Sequence, residues 1–283
     1  MSKSTTQTDD AAAETTDDDS DELTPATSAE NPSGFGAIIE ARKLEWFLNT
    51  ASRVVDEFKL QLQPDGLHVL AVDPANVAMI DETLDADAFE YYEADGGVLG
   101  IPLEKVQDVV DMAEDDDSLI HIQLDEQTRK LHLQLDNLEV TCAMIDPAKL
   151  RDADDIPELD LPARVVLEGD QFKRGIDAAS LVSDHLVLGL DPDAEPPEYY
   201  VNAEGDTDDA YVAEEQEMVL DMSPGQAEST FSLNYLETVS KSIEDDDAVA
   251  LLLGDEFPVK IKFSREGELH VTYMIAPRIT SDD

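Results

Sequence analysis

The sequence predicts an α+β protein assembled from one domain used twice. Three observations carry this. Glu114-Asp-Asp-Asp117 recurs as Glu244-Asp-Asp-Asp247, each time between a helix-like stretch and an apolar strand-like run. Most of each copy alternates apolar and polar residues with period two, as in Lys130-Leu-His-Leu-Gln-Leu135. That pattern marks antiparallel strands with one buried face. Each copy also holds only two helix-like stretches, so strands are in the majority. A repeat of about 130 residues exceeds the roughly 20–50 of solenoid arrays and marks a duplicated domain.

The elements follow in order. Residues 1–33 carry nine acidic residues, one lysine, no aromatic and no apolar run. They read as a disordered acidic tail, neither signal peptide nor anchor. The first domain spans 34–144. A helix over 41–54 leads to strands at 59–62 and 67–72, joined by the turn Pro64-Asp-Gly66. A second helix at 103–113 precedes the first acidic quartet, and strands follow at 119–124, 130–135 and 138–145. Residues 145–162 hold three prolines and five aspartates, an extended connecting loop rather than helix or strand. The second domain, 163–283, repeats the order: helix 170–182, strands 185–190 and 199–202, helix 232–243, then strands 248–253, 259–263 and 268–275.

Charge sets the environment. There are 67 acidic against 18 basic residues, a formal net charge of −49. In dilute buffer such self-repulsion opposes compaction. At molar salt the Debye length falls to about 3 Å and the repulsion is screened. A patterned core with this acid excess belongs to a salt-saturated cytoplasm. No stretch approaches the roughly 20 apolar residues of a membrane span. Cys142 stands alone, so no internal disulfide or cysteine metal cluster forms. The expectation is a soluble cytoplasmic protein.

The predicted helices depart from this balance. They hold seven basic residues (Arg42, Lys43, Arg53, Lys105, Lys173, Arg174 and Lys241) against seven acidic, while the rest of the body has 10 against 51. A polyanion such as DNA beside the helices would disfavour acid there. Helix propensity also favours Lys and Arg, but it favours Glu equally and leaves the missing acid unexplained.

At this point a family resemblance enters. Ala71-Val-Asp-Pro-Ala-Asn-Val77, Phe89-Glu-Tyr-Tyr92, the helix start Leu103-Glu-Lys105 and the ending Tyr273-Met-Ile-Ala-Pro-Arg-Ile279 resemble the DNA sliding clamps of the proliferating cell nuclear antigen (PCNA) family. The resemblance covers residues 35–279. It implies a homotrimeric ring of six like domains, helices lining the hole and antiparallel sheets outside, with duplex DNA passing through. It implies no catalysis and no cofactor. DNA polymerase, clamp loader, flap endonuclease and ligase are the implied partners. The seven basic helix residues above become the DNA-facing set. Val72, Asn76, Met144, Ile145, Ile156, Pro157, Pro258, Met274, Ile275, Ala276 and Pro277 become an apolar partner groove. Val140 and Cys142 on one edge strand, with Tyr211 and Val212 on another, become the subunit interface. Two departures stand out. Glu45, Asp108, Asp111 and Asp177 occupy helix positions that the family fills with basic residues, and the acidic tail lies outside the family pattern.

Other constellations carry blander readings. The acidic quartets offer oxygen donors for Mg²⁺ or Ca²⁺ but lack the register of a calcium loop, and read as solvated turns. His68, His121, His132, His185 and His270 flank apolar strand residues without a Cys partner or a paired His spacing, so no zinc site is assigned. Met144, Ile145, Leu150 and Ile156 form either a buried staple for the connecting loop or an apolar strip for partners. The leading function is a processivity clamp. A checkpoint or hetero-oligomeric ring subunit is the first alternative, and a carboxylate-dependent metal hydrolase the second.

Overall fold

The structure, a computed structural model, describes residues 34–278. The tail reading for 1–33 and the terminal Ile279 fall outside the described residues.

The first half opens with β1 (Phe35–Glu40) running straight into α1 (Ala41–Ala51). Then come β2 (Glu57–Gln63), β3 (Gly66–Val72), β4 (Ala78–Asp85), β5 (Tyr91–Ala94), β6 (Val98–Pro102) and α2 (Leu103–Val110). β7 (Leu119–Asp125), β8 (Lys130–Leu135) and β9 (Leu138–Ala143) close it. The second half repeats the order: β10 (Ala163–Glu168), α3 (Gly169–Ser180), β11 (His185–Asp191), β12 (Glu198–Glu204), β13 (Asp209–Glu215), β14 (Asp221–Ser223), β15 (Ala227–Ser232), α4 (Leu233–Ser240), β16 (Ala248–Leu253), β17 (Val259–Arg265) and β18 (Leu269–Ile275).

The predicted helices begin within a residue of the observed ones and overrun their ends by two to three residues, which form turns. The connecting loop is corrected in one respect. Pro147–Lys149 form a short 3-10 turn, capped by the Asp146 carboxylate accepting the Ala148 N–H at 3.1 Å.

The helices pack by their apolar stripes. α1 buries Leu44, Phe47, Leu48 and Ala51, the one-face spacing of an amphipathic helix, and α3 buries Phe172, Gly175, Ile176 and Ala179. The acidic quartets help start these helices, through backbone rather than carboxylates. Asp116 O accepts the Arg42 N–H at 3.1 Å, and Asp245 O accepts the Asp170 N–H at 3.0 Å. First-turn donors that have no partner within the helix are thereby satisfied.

All strand pairs are antiparallel. The sheets run β5-β1-β7-β8-β9, then β14-β10-β16-β17-β18-β4-β3-β2-β6, then β13-β12-β11-β15. The long sheet joins the halves, because β18 of the second pairs with β4 of the first from Leu269 opposite Leu84 to Ile275 opposite Ala78. By element order β9 is the counterpart of β18, and β13 of β4. Both lie at sheet ends, paired on one side only (β9 with β8, β13 with β12) among the described residues.

Candidate DNA-facing helices and partner groove

The basic helix residues divide into two groups. Four are engaged by carboxylates elsewhere in the chain. Arg42 meets Glu266 at 2.9 Å, Lys43 meets Glu268 at 2.6 Å, Lys173 meets Asp245 at 2.8 Å, and Arg174 bonds the buried Glu214. Arg53 bonds the Asn49 side chain. Lys105 and Lys241 are exposed, with no carboxylate at ion-pair distance among the described residues. The local neutrality of the helices therefore arises largely from packing partners distant in sequence. Of the seven basic helix residues, only Lys105 and Lys241 present ammonium groups without a carboxylate partner among the described residues. Between α1 and α2 the surface is a shallow acidic hollow of about 240 Å³ lined by Glu45, Glu104, Asp108 and Asp111. Partial burial pushes the Glu45 carboxyl up, and the charges of Asp111, Asp116 and Glu244 add to it.

The groove assembles around the turn after β3. The buried Asp73 carboxylate accepts N–H bonds from Ala75 (3.0 Å), Val77 (2.7 Å) and Ala78 (2.9 Å), and the Tyr235 hydroxyl donates to it at 3.0 Å. Burial alone would raise this carboxyl, but the donors outweigh it and hold Asp73 below its ordinary range. The turn needs Asn76 at φ 59°, a conformation asparagine tolerates. Arg151 of the connecting loop grips it, donating to Asp73 O at 3.0 Å and to the Asn76 side chain. Leu150 is buried beside it, and a groove of about 460 Å³ opens between Val72, Leu150, Phe58 and Pro74. Ala276 N–H donates to Val77 O at 2.8 Å, which brings the terminal segment to the same turn. Lys260 donates to Pro157 O at 2.7 Å and so carries the loop past Pro258.

Several predicted groove residues are corrected by this geometry. Ile275 is fully buried and Met274 nearly so, because β18 is an interior strand of the nine-stranded sheet. Ile145 donates its N–H to Gly100 O on β6 at 2.8 Å, several strands from the terminal segment, and Met144 precedes it there. Leu150 is a staple. Val72, Asn76, Ala276 and the Ile156–Pro258 neighbourhood remain at the surface. Cys142 is corrected as well. It points into its own core, where burial pushes its thiol up. Glu214 on β13 is buried against Arg174.

The halves meet through a buried polar network that the motif reading missed. α1 reaches across to the β17–β18 turn through the Arg42 and Lys43 ion pairs, and the Trp46 ring lies 5.3 Å from the Arg265 guanidinium. Arg265 bonds Asp247 at 2.7 Å and Ser242 O at 2.6 Å. The Tyr273 hydroxyl donates to Thr50 O at 2.9 Å and meets Ser242 Oγ at 2.9 Å. Glu82, 1% exposed, closes the set on the Thr50 hydroxyl. A signal was present. Glu82 sits in the apolar phase of Ala78, Ile80 and Leu84, and Arg265 in that of Val259, Ile261 and Phe263.

Known proteins match along most of the chain. A family model described as proliferating cell nuclear antigen, N-terminal domain, matches residues 37–155. The DNA polymerase sliding clamp of Natronomonas pharaonis is 52% identical over 249 residues, covering 88% of this chain and 100% of the relative. That of Haloarcula marismortui is 49% identical with the same coverage. The solved structure of A. fulgidus PCNA bound by the C-terminal region of FEN-1 superposes with a TM-score of 0.82 at 29% identity, covering 88% of this chain and 100% of that one. The chain belongs to the family of DNA polymerase sliding clamps.

Proposed function

We propose that three copies of this chain close head to tail into a ring around duplex DNA and tether a DNA polymerase to its template. In this reading 34–144 and 163–283 are the two clamp domains, 145–162 is the connecting loop, and the helices face the DNA. The observation that carries it is the β4–β18 ladder. The chain already pairs one edge of its first half with one edge of its second, and the matching edges β9 and β13 are left open. Repeating the same contact between copies sets Val140 opposite Val212. Backbone hydrogen bonds make such a joint, so the inward-facing Cys142 is compatible with it.

The ring supplies no chemistry of its own. Phosphate contacts weaken steeply as salt rises, whereas a closed ring retains DNA topologically. The groove at Val72 and Leu150 takes apolar side chains of partner tails. The bound FEN-1 segment on the related A. fulgidus protein supports this for a flap endonuclease, and polymerase, clamp loader and ligase share the reading. Light scattering in about 2–3 M KCl, where charge repulsion is screened, tests the ring. Three times the chain's 31.1 kDa is expected, and a monomer at all protein concentrations refutes it.

A further inference from the structure

The turn after β3 is tied to both halves of the chain through one residue. Asp73 is 6% exposed, and the bonds to its carboxylate come from two directions. Ala75, Val77 and Ala78 donate from within the turn, and Tyr235 donates from the first turn of α4, in the second half. The Asp73 carbonyl is engaged as well, by Arg151 of the connecting loop. The chain neighbours of Asp73 are Val72 and Pro74, and both line the groove, with Leu150 and Arg151 lining it from the loop. Proline fixes its own φ, so Pro74 stays where Asp73 is held. Tyr235 does not line the groove; its link to that wall is the bond to Asp73.

The repeat shows that a domain of this kind folds without such a bond. α2 and α4 begin as Leu103-Glu-Lys105 and Leu233-Asn-Tyr235, so Lys105 stands where α4 has its tyrosine. The turn between β12 and β13, the counterpart by element order, is Gly205-Asp-Thr-Asp208, and neither of its aspartates is buried. The buried aspartate and the tyrosine that reaches it therefore occur at the turn that builds the groove. Burial and the Asp73 charge raise the Tyr235 hydroxyl, which keeps it a donor at neutral pH.

We propose that Tyr235 is a positioning residue of the partner groove. Acting from α4 through the Asp73 carboxylate, it sets Val72 and Pro74 against Leu150, while Arg151 holds the same turn from the loop. The proposal rests on the groove reading and adds what fixes the groove's width. A bond to a buried carboxylate suits molar salt, which screens exposed charges far more than buried ones.

Calorimetry with a synthetic copy of the C-terminal FEN-1 segment, in about 2 M KCl, tests it, with circular dichroism as a check on folding. Tyr235→Phe keeps the ring and removes only the hydroxyl. It is expected to weaken binding about three- to tenfold, the worth of one hydrogen bond, and to speed hydrogen exchange at the Ala75, Val77 and Ala78 amides. In a Val72→Ala background the same change should cost little further, because the wall it positions is already trimmed. Arg151→Met, at an exposed side chain, keeps the apolar stem, drops both bonds to the turn and should weaken binding similarly; it decides the matter if Tyr235→Phe loses its fold. Wild-type affinity in either single variant, or a full additional loss in the Val72→Ala background, overturns the proposal. If the wild-type chain does not bind the segment, or Val72→Ala binds it unchanged, the groove reading itself is wrong.

Discussion

Glu82 is a carboxyl without water around it. Burial pushes it well above the ordinary carboxylate range; the Thr50 hydroxyl opposes this, and the Asp81 charge adds to it. Thr50 Oγ1 donates to the Glu82 carboxyl and also lies 2.8 Å from Phe47 O and 3.0 Å from Trp46 O, so its one proton is shared among three acceptors. A carboxyl raised on folding stabilises the native state fully below its unfolded value of 4.5, and that contribution is lost as pH rises through the folded value. Glu82→Gln stays neutral and keeps the bond. Its melting temperature should match wild type near pH 4 and exceed it increasingly above that, by about 1–3 kcal/mol at the alkaline end. An advantage independent of pH would show that Glu82 is ionised in the fold. Asp73 has the opposite sign. Its lowered carboxyl contributes above the ordinary value of 3.8 and is lost as pH falls, so Asp73→Asn should cost about 1–3 kcal/mol at neutral pH.

Among the elements, α3 shows how closely a helix start is fitted to its turn. A Cβ on Gly169 would lie 1.9 Å from Glu244 O, so Gly169→Ala must push α3 off the second quartet. Overpacking of this kind costs about 1–3 kcal/mol, read as a lowered melting temperature. The counterpart change Ala41→Gly should cost only about 1 kcal/mol, from propensity alone. The elements with clean periodicity were legible in the sequence. β8 and β16 have the predicted bounds, and all four helix starts fall within one residue. Other strands were not legible for local reasons. β4 carries Asp81 and Glu82 in succession, which breaks the alternation, and β1 passes into α1 with no turn residue between them. The basic helix residues were visible, but not what they touch. Arg42 and Glu266 lie 224 positions apart, and no local pattern links them. Burial of Ile275 was hidden because the terminal strand reads alike whether at an edge or inside a sheet.

For the whole molecule, charge and assembly act together. With a formal net charge of −49, copies repel at low salt, and any contact that joins them must overcome that. A trimer is expected above about 1 M KCl, loosening towards monomer near 0.1 M, where the Debye length reaches about 10 Å. Equal stability at both ends, by sedimentation, would count against assembly opposed by charge repulsion. DNA contact should depend on the two helix lysines that have no carboxylate partner among the described residues. Lys105→Glu with Lys241→Glu should lower polymerase stimulation several-fold, roughly as two lost phosphate contacts would, without changing trimer size. Lys43→Glu should instead lower chain stability, since Lys43 ties α1 to Glu268.

The β4–β18 ladder also creates an internal clock. Its amides are sealed within one chain, so they exchange with deuterium only when the two halves come apart. On the proposed ring, the outward amides of β9 and β13 are sealed only while a neighbouring copy is in place. In a mixture of trimer and monomer, their uptake relative to β4 and β18 counts joint openings directly. On the proposed ring, those openings would be the events that admit a strand of DNA, and each copy carries the slow reference against which they are timed.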